Sequence, residues 1–269
     1  MPALFRNLSA TFLFFFLVFL SRFSNAQETA AASDTSLPPG VMLIPYDPLY
    51  YLSDADHDIA EQTSGSMKEV RQTFHEKADY YVYAAISRQF RCTDLLHDTS
   101  DAVQEDLVTV FSTLGYRYEE PMNINPDARK LQPENQKKDS YEDPQTAYRY
   151  KNPEPNLKYM HAVLGKPALL QALSDKYHTD YFVFLNQFEI KTNYNSCIDI
   201  ANKVYQRTLL LHFSIYDKYG KQLAGNFAYA FFPSNTGEAN EIMKNCFPVL
   251  GSGIAKSLAD AVASSVAGK

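Results

Sequence analysis

Basic charge is scarce in this chain of 269 residues. It has 25 Lys and Arg residues against 31 Asp and Glu residues, and its formal net charge is −6. Nucleic-acid binding relies on a basic face, and attraction to anionic lipid relies on a polybasic patch. The charge balance therefore argues against a nucleic-acid partner and against electrostatic binding to lipid.

Cysteine is also scarce, with only Cys92, Cys197 and Cys246. Their spacings exclude a zinc ribbon and a Cys-x-x-Cys redox motif. In an oxidising compartment one pair can form a disulfide and leave one thiol free. We favour Cys197, expected in a loop, with Cys246, expected just before the last helix. Three buried thiols that pack as small apolar side chains are the alternative.

Long apolar runs are missing after the first 26 residues. Arg6 precedes the apolar run at residues 11–20, and Ser24-Asn25-Ala26 is a small-x-small cleavage site. This pattern is typical of a secretory signal peptide cleaved after Ala26. The run has about half of the ~20 residues that cross a bilayer, which disfavours the alternative of an uncleaved anchor. We therefore expect an exported protein, periplasmic or associated with the outer envelope, without an integral membrane span.

Motifs for cofactors and nucleophilic catalysis are missing as well. The sequence has no Gly-x-Ser-x-Gly elbow, no Walker A motif and no dinucleotide-binding fingerprint. We expect no cofactor, and a binding function is favoured over an enzymatic one.

One polar cluster, residues 53–58, offers side chains that bind metal ions. Asp54, Asp56 and His57 are candidate ligands of Ca²⁺ or Zn²⁺, and the pair His97-Asp98 is a further candidate. This set defines the alternative hypothesis of a metal-dependent hydrolase. The competing interpretation is a solvated loop in which Ser53 and Asp54 cap the next turn.

Apolar periodicity predicts a single α/β domain over residues 41–269, after a disordered lead-in at 27–40. Residues 41–45 are apolar throughout, as in a strand covered on both faces. Ser66 and Glu69 form a capping-box pattern at the start of a helix, and Gly220 occupies a hairpin turn that favours a positive φ. The predicted helices are 66–89, 101–114, one starting at Pro167, 238–245 and 248–266; the further strands are 90–95, 181–190 and the two arms of a hairpin over 205–231.

The pattern is interrupted between about residues 116 and 160 by a proline- and tyrosine-rich insertion. An insertion of this length inside a domain is either a tolerated surface loop or a functional one. Tyrosine provides a large contact area at a low entropic cost. The functional interpretation therefore makes the insertion a binding loop; its candidate binding residues are Tyr116, Tyr118, Tyr141, Tyr148, Tyr150 and Tyr159.

Three stretches resemble a group of cell-envelope domains. They are the opening strand at 41–46 (VMLIPY), the segment 178–184 (HTDYFVF) and the hairpin at 209–223. The chain resembles the amino-terminal domain of TolB, the curli-secretion lipoprotein CsgG and the peptidoglycan-synthase activator LpoB. The resemblance implies a single mixed sheet with helices packed on it. It also implies a non-catalytic adaptor that binds another envelope protein or a glycan, or, as a further alternative, a subunit of an envelope secretion or assembly complex.

Overall fold

The computed structural model describes residues 37–122, 150–153 and 157–267. The predicted signal peptide and the greater part of the predicted lead-in lie outside the described residues, as do Tyr141 and Tyr148. The strands are β1 (Gly40–Ile44), β2 (Tyr51–Ser53), β3 (Arg91–Asp94), β4 (Leu114–Glu119), β5 (Tyr159–Leu164), β6 (Tyr181–Asp199), β7 (Val204–Asp217) and β8 (Gln222–Pro233). The α-helices are α1 (Asp56–Thr63), α2 (Met67–Ile86), α3 (Asp101–Thr113), α4 (Ala168–Tyr177) and α5 (Ala239–Ala267), with a 3-10 turn at Pro48–Tyr50.

The main sheet is mixed, as predicted. Its strand order is β3-β1-β6-β7-β8, and the short β2 pairs with β6 further along the same edge as β1. β1 is parallel to β3 and β6, whereas β6, β7 and β8 are antiparallel to one another. Every residue of β1 is buried, which explains its uninterrupted apolar sequence.

Helices cover both faces of the main sheet. The face that carries Val183 packs against α1, α2 and α5, and we call it the first face. The second face carries Phe182 and Phe184 and packs against α3, α4 and β5. Adjacent residues of a strand point to opposite faces, so alternate residues of β6 supply the two hydrophobic cores.

Two local predictions, about a helix start and a turn, are confirmed, and a close approach at a glycine is a further finding. The Ser66 hydroxyl accepts a hydrogen bond from the Glu69 amide at 3.2 Å, and the Glu69 carboxylate accepts one from the Ser66 amide at 2.8 Å. Gly220 has a φ of +80° in the turn between β7 and β8. A Cβ at Gly251 would lie 2.5 Å from the carbonyl oxygen of Tyr81, so this glycine lets α5 approach α2 closely.

Two element boundaries were predicted wrongly. The strand expected to end near residue 190 continues as β6 to Asp199, because β7 pairs with it along its length. The two helices expected around Pro248 form one helix, α5, with Pro248 inside it. Proline removes one helical hydrogen bond, but 11 residues of α5 are buried, and their packing holds the helix together across this position.

The predicted disulfide between Cys197 and Cys246 is wrong in this structure. All three cysteines are free thiols. Cys197 is exposed on β6, in the stretch expected to be a loop, whereas Cys246 is buried in α5 and its thiol faces the carbonyl oxygen of Phe231 at 3.7 Å. Cys197 therefore lies on the surface at the extended end of β6, whereas Cys246 lies in the core.

Candidate functional site

The predicted metal ligands Asp54, Asp56 and His57 do not come together. Asp54 caps the strand pair, since its carboxylate accepts hydrogen bonds from the amide of Thr192 at 2.9 Å and from its hydroxyl at 2.9 Å. Asp56 is buried and accepts hydrogen bonds from the Tyr51 hydroxyl at 2.7 Å and from Arg71 at 2.5 Å. The three side chains therefore make separate contacts and do not form the metal cluster predicted at this position.

The reason for this difference is a helix start that the sequence pattern did not predict. Residues 56–63 form α1, and Asp56 and Asp58 occupy its first turn, where acidic side chains are stabilised by the helix dipole. Asp58 forms an ion pair with Arg207 of β7, and the His57 side chain is exposed. The acidic run serves to anchor α1 and β2 to the sheet.

A different set of ligand-type side chains converges beside β3. Asp79 of α2, Asp94 at the end of β3 and His97 each offer one ligand atom, and these three atoms lie within 4.8 Å of one another. His97 Nδ1 lies 2.6 Å from an Asp94 carboxylate oxygen and 3.5 Å from Asp79 Oδ2. We call this set the Asp79 cluster; it is the only such group among the residues that the structure describes.

Asp79 is the unusual member of the Asp79 cluster. It has 0 % of its surface exposed, and neither of its carboxylate oxygens has a hydrogen-bond partner. The hydroxyl of Tyr46, just after β1, is also buried without a hydrogen-bond partner. Leaving a buried polar group unsatisfied costs about 1–3 kcal/mol, and more for a charged group.

The electrostatics of the cluster favour bound protons. Burial, together with the charge of Asp94, raises the pKa of Asp79 to about 8 against the opposing effect of His97. The neighbouring Asp79 and Asp94 carboxylates raise the pKa of His97 to about 9. Burial and the same two carboxylates raise the pKa of the Cys92 thiol to about 12. The cluster therefore disfavours additional negative charge at this position.

The position follows from the topology of the parallel part of the sheet. β1 and β3 run in parallel, so their carboxyl ends meet at one edge, where ligand sites of α/β sheets are usually found. α2 crosses this edge, and His75, one turn before Asp79, lies with its Nε2 atom 2.9 Å from the carbonyl oxygen of Tyr46. This edge brings the three ligand-type side chains together.

The sequence contains two signals for this site, the position of Asp79 and the presence of His97, and only the second led to a prediction. Asp79 is spaced three residues before the core residue Val82 and seven before Ile86, so it lies within the apolar stripe of α2. His97 was named as a candidate, but with Asp98, which instead accepts a hydrogen bond from the Ser100 amide at 3.0 Å. An acidic residue within the apolar stripe of α2 was the signal for Asp79.

The tyrosines of the predicted insertion divide into buried and exposed ones. The ends of the insertion are not loops, because β4 and β5 pair as an antiparallel two-stranded sheet. Tyr159 is fully buried in β5, which excludes it as a surface contact in this structure. Tyr150 stacks on Phe231 of β8, with ring centroids 5.4 Å apart.

Exposed or partly exposed aromatic and aliphatic side chains occur on β4 and in the segment that contains the 3-10 turn and β2. The rings of Tyr116 and Tyr50 lie 4.5 Å apart, and 49 % of Tyr118 is exposed while its hydroxyl donates to the side chain of Gln187 at 2.9 Å. Beside Tyr50 in the chain, Leu49 is 82 % exposed and Leu52 is 49 % exposed. We call these five residues the Leu49 surface.

Comparison with protein-family models, with curated proteins and with solved structures finds no match for this chain. Its function has therefore to be argued from its own residues.

One helix of the described chain, α5, is long and apolar enough to cross a membrane. It is also the helix whose buried side chains pack on the first face of the sheet. A core helix meets the same criteria of length and composition, so α5 carries little weight as a membrane span.

Proposed function

We propose that this chain is an exported cell-envelope protein that binds another envelope protein and does not act as a catalyst. Its order of elements, with an opening central strand, two helices on opposite faces and a terminal hairpin and helix, supports placing it in the TolB amino-terminal, CsgG and LpoB group. A shared fold does not fix a function. The observation that carries the proposal is therefore the Leu49 surface.

The chemistry of the Leu49 surface favours a protein partner over a glycan. Exposed aliphatic side chains grouped beside aromatic ones are typical of protein-interaction sites. β2 pairs with β6 on one side only among the described strands, so a partner strand has an accessible edge next to Leu52. Glycans stack on exposed ring faces, whereas the rings of Tyr50 and Tyr116 pack on each other.

The test uses a photo-reactive residue in place of Leu49, activated in the native envelope. We expect a discrete cross-link to one protein. The same residue in place of Val108, which is 67 % exposed on α3, is the matched control and should give none. A cross-link to glycan would show that the partner is a glycan and not a protein. A cross-link to a second copy of this chain would instead indicate an assembly subunit, and the absence of any specific cross-link at Leu49 would refute the proposal.

A charge substitution separates binding from folding. Leu49→Asp should abolish capture of the cross-linked partner and leave the thermal unfolding temperature within about 2 °C of the wild type, because exposed substitutions change stability by about 0.5 kcal/mol or less. Val108→Asp should leave capture intact. Equal capture by both variants would show that the Leu49 surface is not the binding site.

A further inference from the structure

The Asp79 cluster contains a fully buried carboxyl group that has no hydrogen-bond partner. Two carboxylates, one of them fully buried, face a single imidazole. The His97 side chain remains 49 % exposed, so water screens the charge that it offers. Removing a carboxylate from water costs several kcal/mol unless a cation or hydrogen bonds compensate, and the oxygens of Asp79 have no hydrogen bonds.

The ligand-type atoms of the cluster lie close enough to one another to share one ion. One Asp94 oxygen is used by the Leu96 amide at 2.8 Å, and the other faces His97 Nδ1. Both oxygens of Asp79 are free of hydrogen bonds. One ligand atom of each residue lies within 4.8 Å of the other two, and the three residues are held by α2, by the end of β3 and by the turn that follows it. A bound ion would replace the contact between His97 and Asp94.

We propose that Asp79, Asp94 and His97 form a binding site for one divalent transition-metal ion, with Zn²⁺ as the favoured occupant. One imidazole nitrogen and two carboxylate oxygens suit Zn²⁺, whereas Ca²⁺ and Mg²⁺ favour oxygen ligands alone. Three protein ligands leave at least one coordination position free, and the exposed side of His97 gives that position access to solvent.

The ion would link two elements that are otherwise weakly joined. β3 is an edge strand paired with β1 alone, and its four residues are exposed or only partly buried. A cation between Asp79 and Asp94 attaches the end of β3 to the buried face of α2. Binding of a ligand to the folded state alone stabilises that state, so occupancy should be measurable through stability as well as through metal content.

The experiment uses the mature protein, purified with a chelator and exchanged into metal-free buffer. Calorimetric titration with Zn²⁺ should show one ion per chain, and Zn²⁺ should raise the thermal unfolding temperature. Co²⁺ should give visible absorption bands typical of a site with nitrogen and oxygen ligands. No binding of either ion, or tighter binding of Ca²⁺ or Mg²⁺ than of Zn²⁺, would overturn the proposal.

Two variants assign the ligands. His97→Gln and Asp79→Asn should each weaken Zn²⁺ affinity by about 10-fold or more and abolish the thermal shift. Asp79→Asn replaces the carboxyl group with an uncharged amide of similar shape, so in chelator it should fold and be at least as stable as the wild type. His57→Gln, a change at an exposed histidine outside the cluster, is the control and should bind like the wild type. Equal Zn²⁺ affinity in all four proteins would show that the cluster is not the site.

Discussion

His212 shows how a single buried side chain can make stability depend on pH. It has 1 % of its surface exposed on β7, and its Nδ1 atom accepts a hydrogen bond from the Met160 amide of β5 at 2.7 Å. Its Nε2 atom has no hydrogen-bond partner, and Glu189 lies 3.7 Å away. Burial, reinforced by the charge of Lys191, lowers the pKa of His212 to about 3.

This lowered pKa predicts a loss of stability in acid. An unfolded histidine takes up a proton near pH 6.5, whereas folded His212 stays neutral down to about pH 3. Its contribution is therefore complete above about pH 6.5 and is lost as the pH falls from there toward 3, at up to about 1.4 kcal/mol per pH unit. His212→Asn should show a shallower decline in urea-unfolding free energy between pH 7 and pH 4.

The slope, and not the absolute stability, is the relevant readout. His57→Asn changes an exposed histidine and should retain the slope of the wild type. A wild-type slope in His212→Asn would contradict the assignment of the acid sensitivity to this side chain.

At the scale of the element, α2 and α3 both begin after a serine but differ in whether its hydroxyl caps the helix. Ser66 caps α2 with a reciprocal capping box, whereas the Ser100 hydroxyl makes no capping hydrogen bond at α3. Replacing a capping serine with alanine typically costs about 1 kcal/mol. We therefore expect Ser66→Ala to lower the unfolding free energy by about this amount.

Ser100→Ala is the matched control for that change, since it alters the same residue type at the same helix position. It should cost much less in the same urea titration. Equal losses in the two variants would mean that the hydroxyl of Ser66 acts through something other than the cap.

Elements with strong local signals were predictable from the sequence. β1 is apolar throughout, whereas α2 and the hairpin of β7 and β8 show apolar periodicity, and the structure confirms the type of each element. The continuation of β6 beyond residue 190 was not predictable, because its polar residues are held by pairing with β7. Local sequence gives no measure of such pairing.

The candidate site was less predictable than the fold. Clustering of residues in the sequence drew attention to Asp54, Asp56 and His57, whose contacts are separate in space. The Asp79 cluster joins a helix to a strand end, so its members are separated by up to 18 positions in the chain. The polar residues of β7 are a related case. His212 and Ser214 alternate with apolar residues along the strand, yet both are buried in a hydrogen-bond network with β5.

At the scale of the whole molecule, one sheet serves two hydrophobic cores. Residues of the same strands supply both faces, and residues Pro38–Lys269 form one compact unit. Loss of the sheet would expose both cores together. We expect the amides of α2 on the first face and of α4 on the second face to lose hydrogen-exchange protection in the same cooperative transition as urea is increased.

β3 provides an internal reference for this hydrogen-exchange experiment. It is an edge strand among the described strands, so its amides should exchange faster than those of β1. Separate transitions for α2 and α4, each at its own urea concentration, would show that the two faces unfold independently.

The placement of β1 also has a consequence for how the chain acquires its fold. β1 opens the described domain, yet its neighbours are β3 and β6, and the amide of Gly40 bonds to Asp180, 140 positions away. Folding slows as contacting residues become more distant in the sequence. A nascent chain that has not yet reached Tyr181 cannot complete the middle of its sheet. The central strand pairing should therefore form only after most of the polypeptide has been synthesised, and the export proposed above would be compatible with this order.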